Sequence, residues 1–250
     1  MAATFFISDL HLDPARPDAT DALLRFLSGT APGADRLYVL GDLFEYWIGD
    51  EGLATPLASQ VAAAFRALSG QGTDVFFMHG NRDFLVGPRF AAAAGMTLLQ
   101  DPTTVDLYGT RTLLMHGDTL CTDDVEYQRF RAMVRDPAWQ QAFLQKPVEE
   151  RIRMAQSVRS ESEKAKQVKE MTIMDVAPSA VEQALRQAGY PRLIHGHTHR
   201  PSRHEHRVED NRNRGGVGGH MCERFVLADW YDQGSYLVCD AEGCRSLPIR

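Results

Sequence analysis

Seven side chains of this sequence share one placement. Asp9 and His11 follow the apolar run Thr4 to Ile7, Asp42 follows Leu37 to Leu40, and Asn81 follows Val75 to Met78. His116 follows Thr112 to Met115, and His197 with His199 follow Leu193 to His195. Each run has the length of a buried strand, so each donor falls at a strand end. In open α/β sheets ligands collect in the crevice beyond those ends. One strand-end Asp more often caps a turn or helix, and one His is more often an ordinary core or surface imidazole. Five strand ends, each offering oxygen or imidazole nitrogen, read instead as a single site. The set is oxygen and nitrogen with no thiolate, which suits two divalent ions of the Mn or Fe type better than a closed structural zinc site. A central carboxylate can bridge them. Two ions about 3.5 to 4 Å apart can hold and ionise a water while clamping the oxygens of a phosphorus centre for in-line displacement. The chemistry expected is phosphoester hydrolysis.

The intervening segments must position those ends. Ala22 to Leu27 reads as a helix, and Gly41 lets the chain turn after the Leu37 to Leu40 strand. Thr55 is the expected N-cap of a helix with Pro56 in its first turn, an apolar face of Leu57, Val61, Phe65 and Leu68, and Gly70 at its close. Pro88 to Ala94 is a further short helix. Strand, helix, strand, helix, with strands apolar on both faces, is an α/β layer. From Val105 the pattern changes: Val105 to Leu107 and Thr112 to Met115 flank Tyr108-Gly109-Thr110, a hairpin-like turn, so a second, partly antiparallel sheet is expected. Ser179 and Glu182 suggest a capping box before a helix that Gly189 ends, and Phe225 to Ala228 and Tyr236 to Val238 read as closing strands. Arg203 to Gly219 reads as a long mobile hairpin loop, solvated and without a role.

Residues 123–177 break the alternation. Helical spacing in Tyr127, Phe130 and Val134, then Trp139 and Phe143, then Ile152, Ala155 and Val158, predicts a helical insert, leaving 1–122 and 178–250 as the core. Between Arg129 and Lys169 ten basic residues stand against five acidic ones, so the insert carries +5 and the rest of the chain −11. Each such Arg or Lys, taken singly, is ordinarily a solvated helix residue. Together they make a basic and apolar cap over a metal site, suited to an anionic substrate with a greasy part.

Composition narrows the alternatives. The 250 residues, 44% hydrophobic and 24% charged, can bury a full core, and a net charge of −6 argues against a dedicated nucleic-acid binder. Neither an export signal nor a spanning apolar run is present, which points to the cytoplasm. Cys121, Cys222, Cys239 and Cys244 form no Cys-x-x-Cys pair, so reduced thiols are expected.

The motifs resemble those of the calcineurin-like metallophosphoesterase family. Its Asp-x-His, Gly-Asp, Gly-Asn, His and Gly-His-x-His series stands here in order as Asp9/His11, Gly41/Asp42, Gly80/Asn81, His116 and Gly196/His197/His199. Longer stretches, Leu40 to Glu45 with Trp47 to Asp50, His79 to Leu85, His116 to Asp124, Ile173 to Val176 and His195 to Pro201, are similar to the branch acting on a nucleotide-sugar lipid in lipid A synthesis. The resemblance implies a four-layer α-β-β-α sandwich with a helical lid and two Mn2+ per chain. Asp9, His11, Asp42 and His199 would hold one ion, and Asp42, Asn81, His116 and His197 the other. The implied reaction is pyrophosphate hydrolysis of UDP-2,3-diacylglucosamine by water at the α-phosphorus. Asn81, Arg82 and His116 would serve catalysis, and Asn81, Arg82, Asp124, Ser162, Lys166, Lys169 and His197 would contact substrate. A monomer, peripheral on the cytoplasmic face of the bacterial inner membrane, is expected.

Arg82 stands where many members of the family carry a histidine that protonates an alkoxide leaving group. A pyrophosphate expels a phosphate monoester, whose second pKa is about 6, and needs no such proton. Two other readings differ in kind: a phosphoesterase for phosphoprotein or nucleic acid, and a non-catalytic binding module. The first requires an open groove, whereas Trp139, Phe143, Ile152 and Met154 of the insert favour an enclosed apolar chamber. The second requires lost ligands, and none is missing.

Overall fold

The computed structural model describes residues 2–168, 175–209, 219–231 and 234–249, with backbone only over 159–168. In the first sheet β1 (Thr4–Ile7), β2 (Arg36–Val39), β3 (Asp74–Met78) and β4 (Met96–Leu99) run parallel. In the second, β5 (Thr103–Leu107) and β6 (Thr110–Leu114) form a hairpin, and β7 (Arg192–His195) lies parallel to β6. The tight turn Tyr108-Gly109 has positive φ at both residues, as a two-residue hairpin loop demands. Next come β8 (Ser202–Glu209) and β9 (Gly219–Val226), then β10 (Ser235–Asp240) and β11 (Gly243–Pro248). The strand orders are β11-β10-β1-β2-β3-β4 and β5-β6-β7-β9-β8.

Strand alternation builds the layers. Phe5, Ile7, Leu37 and Val39 point to one side of the first sheet, against α1 (Pro17–Arg25), α2 (Pro56–Gly70) and α3 (Pro88–Ala94). Phe6, Tyr38, Leu40, Leu114, Ile194 and Phe225 meet between the two sheets. Leu113, Met115 and Leu193 face outward again, onto Val181 and Leu185 of α7 (Pro178–Gln187). Helices, sheet, sheet, helix: the four layers follow from a period of two in the strands. The insert adds α4 (Val125–Val134), α5 (Pro137–Leu144) and α6 (Val148–Val168).

Several expectations are corrected. The first helix starts earlier, at Pro17, and continues beyond Arg25 as a wide turn, Phe26–Thr30. Proline pre-set at the first helical position overrides the weak apolar pattern there. For the same reason α7 begins at Pro178 with Ala177 as N-cap, so Ser179 sits inside the first turn and no capping box forms. Strands β4 and β11 lie at sheet edges, where the sequence signal is weakest. Arg203 to Glu209 is strand rather than mobile loop. Its charges alternate on an edge strand in which Val208 alone is buried, so no apolar period marks it. Cys239 and Cys244 are not free thiols: the β10–β11 register sets them opposite each other and they form a disulfide. Cys121 and Cys222 take no part in that disulfide and are buried.

Candidate dinuclear metal centre

All five strand ends meet at one seam. β1, β2 and β3 of the first sheet and β6 and β7 of the second end side by side, and backbone hydrogen bonds tie them: Asp9 N–H to Gly41 O (3.1 Å), His11 N–H to Asp42 O (2.9 Å) and Gly196 N–H to His116 O (2.8 Å). Asp9, His11, Asp42, His197 and His199 all have φ between +49° and +70°. Non-glycine residues rarely adopt this region, at a cost of about 1–3 kcal/mol each, and it persists where surroundings impose it. The turns aim the side chains inward. Gly80 and Gly196 allow the close approach, since a Cβ on Gly80 would overlap the Asp42 carboxylate and one on Gly196 would overlap Asp9.

The inward atoms form two groups sharing one oxygen. His11 Nε2 lies 3.1 Å from His199 Nε2 and 3.9 Å from Asp9 Oδ1, which is 3.4 Å from His199 Nε2. Asn81 Oδ1 lies 2.9 Å from both His116 Nε2 and His197 Nδ1. Asp42 Oδ2 stands between, 3.7 Å from His11 Nε2 and 3.8 Å from His116 Nε2. Asp9, His11 and His199, and separately Asp9, Asp42 and His116, bring their donor atoms within 4.8 Å of one another, as ligands of one ion must. Asp9 Oδ1 is buried with no hydrogen-bond partner, a cost that a cation removes. The donor set therefore fits two divalent ions.

Outward contacts fix the rings. His116 Nδ1 donates to Leu40 O (2.8 Å), His199 Nδ1 faces Asp229 Oδ2 (3.1 Å) and His11 Nδ1 faces Glu45 Oε2 (3.3 Å), leaving Nε2 of each turned inward. Asp9 Oδ2 accepts from Ser8 Oγ (2.5 Å) and His197 N–H (2.9 Å). Asp83 accepts from the amides of Asp42, Leu43 and Gly80, joining two of the loops. Burial opposes a charged His116, yet Asp42, Asp118 and Asp9 outweigh it and lift the ring to about 9. Burial likewise opposes His199, which Asp229 and Asp9 lift to about 10. Such a field attracts any cation.

His195 points elsewhere: Nδ1 donates to Gly196 O (2.9 Å) and Nε2 accepts from Arg224 (3.1 Å). Burial, with that guanidinium adjacent, pushes it down to about 3. Arg82 lies beside the seam, its amide donating to Asp42 Oδ1 (2.8 Å) and its Nη1 3.8 Å from Glu45 Oε1. Asp124 caps α4, accepting from Tyr127 N–H at 3.1 Å. Ser162 and Lys166 fall where only backbone is described, and Lys169 lies outside the described residues.

The sequence reading missed a sixth strand end. Asp229 follows the apolar run Phe225 to Ala228 as the other donors follow theirs, and that repetition was the available signal. It also missed how the insert is seated. Arg131 Nε bonds Asp118 Oδ2 (2.7 Å), Arg135 Nη2 bonds Gly80 O (2.9 Å), and the buried Arg151 donates to Ile48 O (2.5 Å) and Glu51 Oε2 (3.1 Å). These three are fasteners to the core, not solvated helix charges. Trp139 and Phe143 stack on each other, and with Met154 they pack against the main core, so they anchor the insert.

The fold and the shared carboxylate define the class: the chain belongs to the family described as calcineurin-like phosphoesterase, which matches residues 3–201. More particularly, it is similar over 96% of its length and 96% of theirs to proteins named UDP-2,3-diacylglucosamine hydrolase. It is 51% identical to those of Xanthomonas axonopodis pv. citri (strain 306) and Stenotrophomonas maltophilia (strain K279a). To that of Aromatoleum aromaticum it is 52% identical, over 96% of this chain and 94% of that protein.

Proposed function

We propose that this protein hydrolyses the pyrophosphate bond of UDP-2,3-diacylglucosamine to UMP and 2,3-diacylglucosamine 1-phosphate in lipid A biosynthesis. The observation that carries the reading is the Asp42 oxygen placed between two complete donor groups. Asp9, His11, Asp42 and His199 would hold one Mn2+, and Asp42, Asn81, His116 and His197 the other. Bound there, the ions supply Lewis acidity to phosphoryl oxygens and lower the pKa of a water. The chain's own part is placement. Asn81 and His197 face the scissile phosphate from one side, and Arg82 supplies bidentate donors to charge spreading over its oxygens. Water adds at the α-phosphorus and gives up a proton to solvent, the bond to the bridging oxygen breaks with its electron pair staying on that oxygen, and the sugar 1-phosphate leaves unprotonated. Asp124, Ser162, Lys166 and Lys169 contact the remainder of the substrate.

The acyl chains and the bilayer meet the insert. Of the exposed large hydrophobics among the described residues, Val125, Met133, Leu144 and Val158 belong to it. No helix among the described residues is long and apolar enough to cross a membrane. Attachment at the cytoplasmic face therefore rests on this apolar surface and the basic charge around it. An assay with Mn2+ on UDP-2,3-diacylglucosamine and on a plain aryl phosphodiester tests the reading. UMP release from the first, far faster than turnover of the second, is expected; equal turnover of both would sink it.

A further inference from the structure

Among the described residues, no strand pairs with the outer edge of the second sheet. β8 is its outermost strand and, with eight residues, the longest edge strand described, against four in β4, five in β5 and six in β11. An edge of this length offers a row of backbone donors and acceptors to another strand. Arg203, Glu205, Arg207 and Glu209 are all exposed and, alternating with His204, His206 and Val208, share one face.

Charges on an edge ordinarily keep it single, but one register makes all four charges of this series complementary to a second copy. In an antiparallel pairing about a two-fold axis at His206, Arg203 lies opposite Glu209 of the partner subunit, and Glu205 lies opposite Arg207 of the partner subunit. Every charge on the face then meets its opposite across the strands. Centring the axis on Glu205 sets Arg203 against Arg207 of the partner subunit, and Glu205 against its own copy. A parallel pairing in register sets each charge against its like.

Charge on the inner side of β8 favours the same partner. Within the chain Glu205 lies opposite Glu223 of β9, a like pair bridged by Arg203 at 3.3 Å and 2.8 Å respectively. Arg192 of β7 also holds Glu223, at 2.8 Å, so Glu205 at the open side is the carboxylate of the pair that an arginine of an added strand meets. Met221, 63% exposed and opposite Arg207, lies one strand in on the same face, where long side chains from an added strand can cover it.

We propose that β8 is a dimer edge, on which a second copy of this chain adds its own β8 antiparallel, centred on His206, in place of the expected monomer. β8 begins three residues after His199, so the pairing fastens the strand that leaves the ligand loop. Two eight-residue strands make an interface smaller than that of a stable complex, so the dimer is weak and dissociates on dilution.

Sedimentation equilibrium of the full chain, from micromolar to submillimolar concentration, tests this. The mass is expected to rise from 27.9 kDa toward twice that value. The double variants R203E/R207E, with an all-acidic edge, and E205R/E209R, with an all-basic edge, are each expected to stay monomeric, while their equal mixture associates. Turnover of a small phosphodiester shows that each variant is folded. Wild-type protein that is monomeric throughout overturns the proposal. So does a dimer that persists in both variants, or a mixture of folded variants that fails to associate.

Discussion

At the metal centre the donors sit on loops held from every side, with positive φ at five positions and Asp9, His11, Asp42 and His116 buried. Over it, α4 to α6 bury only Val134, Phe143 and Arg151 among their described side chains. The first region is rigid because the strand ends of two sheets and buried carboxylates over-determine each turn. The second is seated on it by a small aromatic anchor and three arginines reaching carbonyls and carboxylates of the core. The centre and the insert are thus parts of different stability, and an opening of the insert need not disturb the centre.

Substitution at the centre tests that separation most severely. Asn in place of His197 or His199 should cost more than about three decades in kcat, since several kcal/mol of charge stabilisation depend on the ions. Metal analysis should find less than the full complement. His195→Asn should retain both ions, because that ring bonds Gly196 and Arg224; equal metal loss in all three would erase the distinction between ligand and support.

Arg82→Ala is expected to keep its metals and lose roughly two to three decades in rate on the diphosphate substrate, the scale of one lost transition-state donor. Near wild-type turnover with metals bound would remove Arg82 from the chemistry. Asp229→Asn comes next, with metal affinity lowered about 10- to 100-fold through loosened orientation of His199. Titration of Mn2+ against activity reads this directly.

The smallest effect should come from the insert. Arg151→Met removes donors to Ile48 O and Glu51 and should cost about 1–3 kcal/mol locally. KM for the lipid substrate should rise several-fold while kcat on a small phosphodiester stays unchanged. A fall in both would mean that the insert and the centre are one cooperative unit, against the comparison drawn above.

What the sequence determined by itself was the centre and the layers around it. A donor after an apolar run is a local signal, because strand length, the turn at its end and the ligand are encoded within a few residues. Alternation in β1, β2, β6 and β7 likewise sorts side chains into layers without reference to the rest of the chain. Tertiary structure decided the remainder. Asp229 and Glu45 take their roles from histidines far away in the sequence, and the arginines of the insert look like surface charge until Gly80, Asp118 and Ile48 are brought to them. β8 carried no apolar period, since Val208 is its one buried residue, and only the sheet order revealed it as an edge. Cys239 and Cys244 read as unrelated thiols until the register of one hairpin set them opposite each other. Each of these depends on a distance between segments that local residue types do not encode.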